Sequence, residues 1–331
     1  MMRELTVAQA LNEALREAMR EDPRVFVMGE DIALHGGIFT VTKGLLDEFG
    51  PERVRNTPIS ESAIVGAAVG AALTGMRPVA ELQYLDFAGI AMDPLVNQMA
   101  KLRFMSGGQT SVPLVVRAQQ GAGRGNAAQH SQSLEAWFFH VPGLIVVQPA
   151  TPADAKGLLK SAIACDDPVL FIEHKMLYNT KGAVPEKPYT IPLGKANLVR
   201  PGKDVTVIAT AQMLGRAIQA AERLVADGIS AEIIDPRTLF PLDLETICDS
   251  AARTHHAVVV HEAVTRGGIG GEIASRITEQ IFDELDSPVA RVGSLEIPVP
   301  YNPNLEQAMM PQVADIVAAV RRVCYSGSAA R

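Results

Sequence analysis

Short apolar runs closed by glycine or acidic residues alternate with stretches of helical spacing along almost the whole chain. This alternation restricts the fold more than any other feature. Residues 25–28, 54–56, 78–84, 112–118, 144–147 and 169–173 read as strands. Helices are expected over 41–49, 93–105 and 152–165, and after the turn and N-cap at 57–60. At the start, Thr6 and Gln9 have the spacing of a capping box. Behind them Val7, Ala10, Leu11, Ala14, Leu15 and Ala18 recur with the period of one helix face. Runs apolar on both sides, joined by helices, require a parallel sheet covered on both faces. The pattern pauses at 181–203, where Pro185, Pro188, Pro192 and Pro201 fall among lysines, and then restarts. Strands are expected at 205–210, 231–234, 257–261 and 289–292, with helices at 217–226, 244–253, 271–285 and 313–323. The fold class is therefore α/β in two domains, each a mostly parallel sheet covered by helices. The expected division is 1–180, a linker over 181–203, and 204–331.

The length of 331 residues, with 47% apolar and 20% charged side chains, supplies two cores of ordinary globular composition. A formal charge of −7 argues against a general binder of nucleic acid or anionic membrane. Cys165, Cys248 and Cys324 lie too far apart for a disulfide framework or a zinc motif and suit a reducing cytosol or organelle matrix, with a cytoplasmic setting expected. No run of about 18 apolar residues marks a membrane span, and the charged N-terminal residues do not read as a signal peptide.

One stretch departs from the pattern. Residues 57–74, TPISESAIVGAAVGAALT, combine a turn, Ser60 as N-cap, and a helix apolar on every side. Such a helix is expected to be buried, with Gly66 and Gly70 on a face another backbone could approach. Glu61 stands in its first turn. Either it answers the helix dipole, or it is a buried carboxylate whose partner is a ligand, and the sequence leaves both open. His130 lies after a strand, between Gln129 and Ser131-Gln132, as a surface histidine or a proton donor. Gly121-Ala-Gly-Arg-Gly125 and Gly267-Gly-Ile-Gly-Gly271 lack the spacing of phosphate-binding fingerprints and read chiefly as tight loops or helix entries. Phe87, after the strand at 78–84, is core packing or a stacking surface for a flat ring. Glu262 beside His261, and the pair His255-His256, have no third ligand at metal spacing and read as structural.

These segments together resemble the β subunit of the thiamine-diphosphate-dependent decarboxylase component of 2-oxo acid dehydrogenase complexes, a transketolase-like family that includes pyruvate, branched-chain 2-oxo acid and acetoin dehydrogenases. The resemblance runs to about Val323. It rests on Gly29-Glu-Asp31, Gly36-Gly-Ile-Phe39, Thr57-Pro-Ile-Ser-Glu61, Arg77-Pro-Val-Ala-Glu81, Arg103-Phe-Met-Ser-Gly-Gly108, Gln129-His-Ser-Gln-Ser133, Pro142-Gly-Leu144, Asp154-Ala-Lys-Gly-Leu-Leu159, Asp167-Pro-Val169, Asp235-Pro-Arg-Thr238 and Pro241-Leu-Asp243. Their order and spacing carry the specificity.

The resemblance implies a pyrimidine-binding domain followed by a transketolase-type C-terminal domain, in a heterotetramer of two α and two β chains. It implies that Glu61 bonds the aminopyrimidine ring of thiamine diphosphate and that Phe87 stacks on it. Ile59, Ser60, Gln83 and Glu30 fall on neighbouring cofactor positions. His130 falls on a histidine that assists acyl transfer to the lipoyl group of the acyltransferase component. Leu114, Ala162, Ile163, Cys165 and Asp167 match positions where some relatives bind K+, with Cys165 replacing an acidic residue. This chain has no Gly-Asp-Gly, the family's motif for Mg2+ and diphosphate, which the resemblance assigns to the α subunit. The substrate implied is a 2-oxo acid, with pyruvate favoured. Acetoin stays open because Leu85-Asp86-Phe87 and Gly121-Ala-Gly123 are similar to segments of acetoin enzymes. A non-catalytic assembly subunit and a nucleotide-binding dehydrogenase are the competing classes. Glu61 with His130 disfavours the first, and the glycine spacing disfavours the second.

Overall fold

A computed structural model of the chain describes residues 1–33 and 35–325. The chain divides into two compact units. One comprises Met1–Gln120 with Trp137–Leu193, the other Gly121–Ala136 with the chain from Gly194 onward. The boundary differs from the sequence division in two respects: residues 121–136, expected within the first domain, group with the second unit, and the expected linker 181–203 is divided, 181–193 going to the first unit and 194–203 to the second.

In the main sheet of the first unit the strands lie in the spatial order Ile145–Val147, Val169–His174, Val115–Gln120, Arg77–Leu82, Val25–Gly29 and Val54–Asn56, all parallel. Val25–Gly29, Val115–Gln120 and Val169–His174 are buried along their whole length, as strands between two helical layers must be. The helix Val7–Glu21 opens with the expected capping box, in which Thr6 and Gln9 each accept the other's backbone N–H. Its partner helix is Pro152–Ala164. There the buried Lys156 bonds Glu13 at 3.1 Å and Glu17 at 2.7 Å, so the ammonium enters the interior already paired.

Register decides where this unit can bind anything. Gly29 lies beside both Asn56 and Glu81, and Leu82 lies beside Ala118. The strands therefore end together. The residues that follow them, Glu30, Thr57–Glu61 and Gln83–Phe87, leave the sheet along one rim, the carboxyl end where open α/β sheets hold ligands.

In the second unit the order is Ala290–Ser294, Ala257–Val264, Val205–Ala209, Ala231–Asp235 and Asn197–Arg200, the first four parallel and the last antiparallel. Gln212–Leu224, Leu244–Thr254, Ile269–Ile281 and Val313–Tyr325 are the helices of this sheet.

Four expectations are corrected. The helix expected over 41–49 is only Leu45–Phe49, because Gly44 just before it takes a left-handed φ of 77°. The helix expected over 93–105 is a π-helical segment, Asp93–Met99, followed by a short α-helix, Leu102–Met105. The break falls at Ala100, whose carbonyl lies against Gly143 so closely that no Cβ fits there. The linker 181–203 is partly strand: Lys181–Pro185 pairs antiparallel with Met2–Thr6, and Asn197–Arg200 pairs with Ala231–Asp235. Its prolines do not prevent this, since edge strands tolerate a missing N–H. Finally, the helix Glu61–Leu73 is only half buried. Ile64, Val65, Ala68, Val69 and Ala72 face inward, while Ser62, Ala63, Gly66, Ala67 and Gly70 are exposed. Among the described residues no helix is long and apolar enough to cross a membrane.

Candidate active site

The rim of the first unit gathers the residues singled out around Glu61. Glu61 opens the helix Glu61–Leu73 and is only 5% exposed. No hydrogen bond or ion pair to a described residue holds its carboxylate. Ser60 occupies the N-cap position, but its side chain makes no cap hydrogen bond and is exposed, and Ile59 is 80% exposed. The first turn is fixed instead by Ser62, whose hydroxyl donates to the Ile90 carbonyl at 2.6 Å and ties the helix to the segment that carries Phe87. Phe87 is half-buried and stands edge-on to Tyr84, with ring centroids 5.8 Å apart. Gln83 is half-buried just before them.

Glu30 is as buried as Glu61, and its Oε1 has no hydrogen-bond partner among the described residues. Burial first, and then the nearby charges of Glu61, Asp31 and Glu81, raise its pKa above the ordinary carboxylate value. Two buried carboxylates, Glu30 and Glu61, thus lie near one another, and burial with like charge favours the protonated form of Glu30.

Behind the rim, Arg117 is wholly buried and donates to Glu81 at 2.6 Å and to Glu173 at 2.6 and 2.8 Å. Tyr178 completes the cluster by donating to Glu173. Burial raises the pKa of Glu81, and the Arg117 charge opposes that rise. Sequence reasoning passed over this cluster, although charged residues inside apolar strand runs were a visible signal.

His130 belongs to the second unit, in the segment 121–136, and is partly exposed. The glycine-rich stretch before it is no phosphate cradle. The N–H groups of Gly123 and Gly125 donate to the two oxygens of Glu306, at 2.7 and 2.9 Å, and that of Ala122 donates to Glu262 at 2.7 Å. Glu306 had no distinguishing signal in the sequence. His261 is fully buried as expected of a structural residue, and neither ring nitrogen has a hydrogen-bond partner among the described residues. The polar carboxylate of Glu262 next to it faces the loop instead.

The five residues matched to a potassium site already have partners. Arg77 Nη1 donates to the carbonyls of Ile163 and Cys165, at 3.0 and 2.9 Å, and Arg77 also pairs with Asp166. The Ala162 carbonyl accepts from Cys165 N–H, the Leu114 carbonyl from Val169 N–H, and the Asp167 carboxylate pairs with Arg103. A guanidinium thus supplies positive charge beside two of these carbonyls. Among the described residues no group of three or more His, Cys, Asp or Glu side chains is placed to hold a metal.

Residues 3–181 match the pyrimidine binding domain of transketolases and residues 194–316 match their C-terminal domain. Three relatives show how closely the whole chain is shared. The mitochondrial pyruvate dehydrogenase E1 component subunit beta-2 of Oryza sativa is 47% identical, over 98% of this chain and 87% of its own. The beta subunit of acetoin:2,6-dichlorophenolindophenol oxidoreductase from Cupriavidus necator is also 47% identical, over 99% of each chain. The 2-oxoisovalerate dehydrogenase subunit beta of Bacillus subtilis is 46% identical, over 96% of this chain and 98% of its own. Among solved structures, a split-gene transketolase described as an inactive β4 tetramer superposes with a TM-score of 0.79 at 26% identity, covering 97% of this chain and 98% of that one. With both transketolase-type domains in order and relatives of this identity along its whole length, the chain belongs to the β subunits of the 2-oxo acid and acetoin dehydrogenases.

Proposed function

We propose that this chain is the β subunit of a thiamine-diphosphate-dependent 2-oxo acid dehydrogenase, acting on pyruvate and passing the acyl group to the lipoyl group of an acyltransferase component. The observation that carries this reading is Glu61, a carboxylate buried at the first turn of a helix with no hydrogen-bond or ion-pair partner among the described residues. A buried charge of that kind is costly unless something compensates it. A protonated ring nitrogen of the aminopyrimidine is a fitting complement. Bound there, thiamine diphosphate would supply the nucleophilic carbon and the electron sink that decarboxylation of a 2-oxo acid needs. Glu61 would hold a proton at pyrimidine N1′. Phe87 offers a ring face for stacking, with Gln83, Ile59, Ser60 and Glu30 lining the same rim. Mg2+ and the diphosphate fall to an α chain, in a heterotetramer of two α and two β subunits, and the exposed face of Glu61–Leu73 is where that chain's backbone approaches. The setting is cytoplasmic, in keeping with three dispersed thiols.

In acyl transfer the acyl carbon bonds one sulfur of the lipoyl dithiolane. The sulfur–sulfur bond breaks, its electron pair goes to the other sulfur, and His130 supplies that sulfur's proton.

The test is Glu61→Gln in the complex co-expressed with its α partner. Decarboxylation should fall by about 10²–10⁴-fold, the scale of a lost proton-handling group, while the complex still assembles. Normal activity would overturn the assignment. A second reading, acetoin cleavage, is favoured by the Cupriavidus necator relative, which aligns over 99% of both chains. Assaying the same complex with pyruvate, 2-oxoisovalerate and acetoin separates the substrates.

A further inference from the structure

The loop that carries His130 is built around two internal carboxylates. Gly121, Gly123 and Gly125 take φ values of 100°, 112° and 66°, backbone that side chains with a Cβ rarely adopt. These turns direct successive N–H groups to one side, as in anion-binding nests. The anion is the protein's own. Glu306, 1% exposed, receives Gly123 and Gly125 on its two oxygens. Glu262 closes the base of the loop. Its Oε1 accepts from Ala122 N–H at 2.7 Å and from the Ser133 hydroxyl at 3.3 Å, one residue on each limb. The Gly121 N–H also meets the Gln132 carbonyl, at 3.5 Å. Between the limbs Ala122 is buried against Met309 and Met310. The chain from 122 to 133 is thus clasped at both ends, with His130 three residues before the second tie.

We propose that Glu306 and Glu262 are positioning residues for His130, fixing the loop so that its imidazole reaches the leaving sulfur during acyl transfer. The proposal rests on the proton-donor reading of His130. Proton transfer requires hydrogen-bond reach, and a displacement of about 1 Å from a distant change costs on the order of 10²-fold in rate. The two carboxylates touch neither substrate nor cofactor in this scheme. Their effect passes through the backbone of the loop.

The experiment compares Glu306→Ala, Glu306→Gln, His130→Ala and the double variant Glu306→Ala/His130→Ala in the assembled α–β complex. Two rates are measured: acylation of a free lipoyl domain, and decarboxylation with a dye as electron acceptor. Glu306→Ala should lower the ratio of acylation to decarboxylation at least tenfold, through kcat rather than the KM for the lipoyl domain. Glu306→Gln keeps one acceptor oxygen and should recover part of the loss. The double variant should be no worse in acylation than His130→Ala alone. Parallel loss of both activities in Glu306→Ala, or full additivity in the double variant, would overturn the positioning role. If Glu306→Ala gives too little folded complex, Glu306→Gln and Ser133→Ala carry the same test, and an unchanged ratio in both overturns it. An unchanged ratio in His130→Ala is a different failure, since it removes the proton-donor reading on which the proposal stands.

Discussion

Arg117 meets Glu173 through two parallel hydrogen bonds, Nε to Oε1 at 2.6 Å and Nη2 to Oε2 at 2.8 Å, where neither side chain is more than marginally exposed. Its remaining amino group holds Glu81, one strand away and two residues before Gln83. Removing the guanidinium would leave two carboxylates buried without a cation. Breaking a buried pair in this way costs about 3–5 kcal/mol. Arg117→Met should therefore destabilise the chain on that scale, measured by denaturant unfolding near neutral pH. A loss below about 1 kcal/mol would mean the cluster is solvated in a way its burial does not suggest.

His261 makes stability depend on pH. Burial first, and the Arg291 charge second, push its pKa down from the ordinary 6.5 to about 4. Its ring is walled by Gly268 and Gly270, which leave no room for a Cβ. The folded state binds this proton more weakly than the unfolded state does. The contribution is complete above pH 6.5 and is lost as pH falls toward 4, amounting to about 2 kcal/mol by pH 5. Unfolding free energies of wild type and His261→Gln should diverge at pH 7 and converge by about that amount at pH 5. Identical pH slopes in the two proteins would contradict the buried neutral imidazole.

Gly66 and Gly70 have nothing within 4 Å of where a Cβ would stand. In the isolated chain, alanine at either position should stabilise the helix Glu61–Leu73 by about 0.8–1 kcal/mol. If an α subunit's backbone packs on this face, the double variant should also assemble less well. Thermal unfolding of the chain alone and light scattering of the co-expressed complex read the two effects separately. Greater stability with unimpaired assembly would move the interface elsewhere.

Much of this molecule was legible in local pattern. The capping box at Thr6 and Gln9, the buried strands at 25–28 and 169–173, and the helices behind them depend on residues within a few positions of each other. Periodicity and hydrogen-bonding chemistry suffice there. Glu61 was conspicuous for a similar reason: a charge beside an all-apolar helix is visible without coordinates. The half-exposure of that helix was not visible, because an apolar surface awaiting a partner and one packed in a core have the same composition.

The sequence by itself determined the alternation, hence two mostly parallel α/β sheets, and the family to which the chain belongs. Tertiary structure alone decided which distant residues meet. The strand Lys181–Pro185 exists because Met2–Thr6 pairs with it. The oxygens at Ile163 and Cys165, at the end of the helix Pro152–Ala164, are satisfied because Arg77 arrives from the strand Arg77–Leu82. The glycine-rich loop holds a carboxylate rather than a phosphate because Glu306 reaches it from about 180 residues away along the chain. Such partners are set by chain closure over long loops, whose entropic cost rises only slowly with length, so no local pattern announces them.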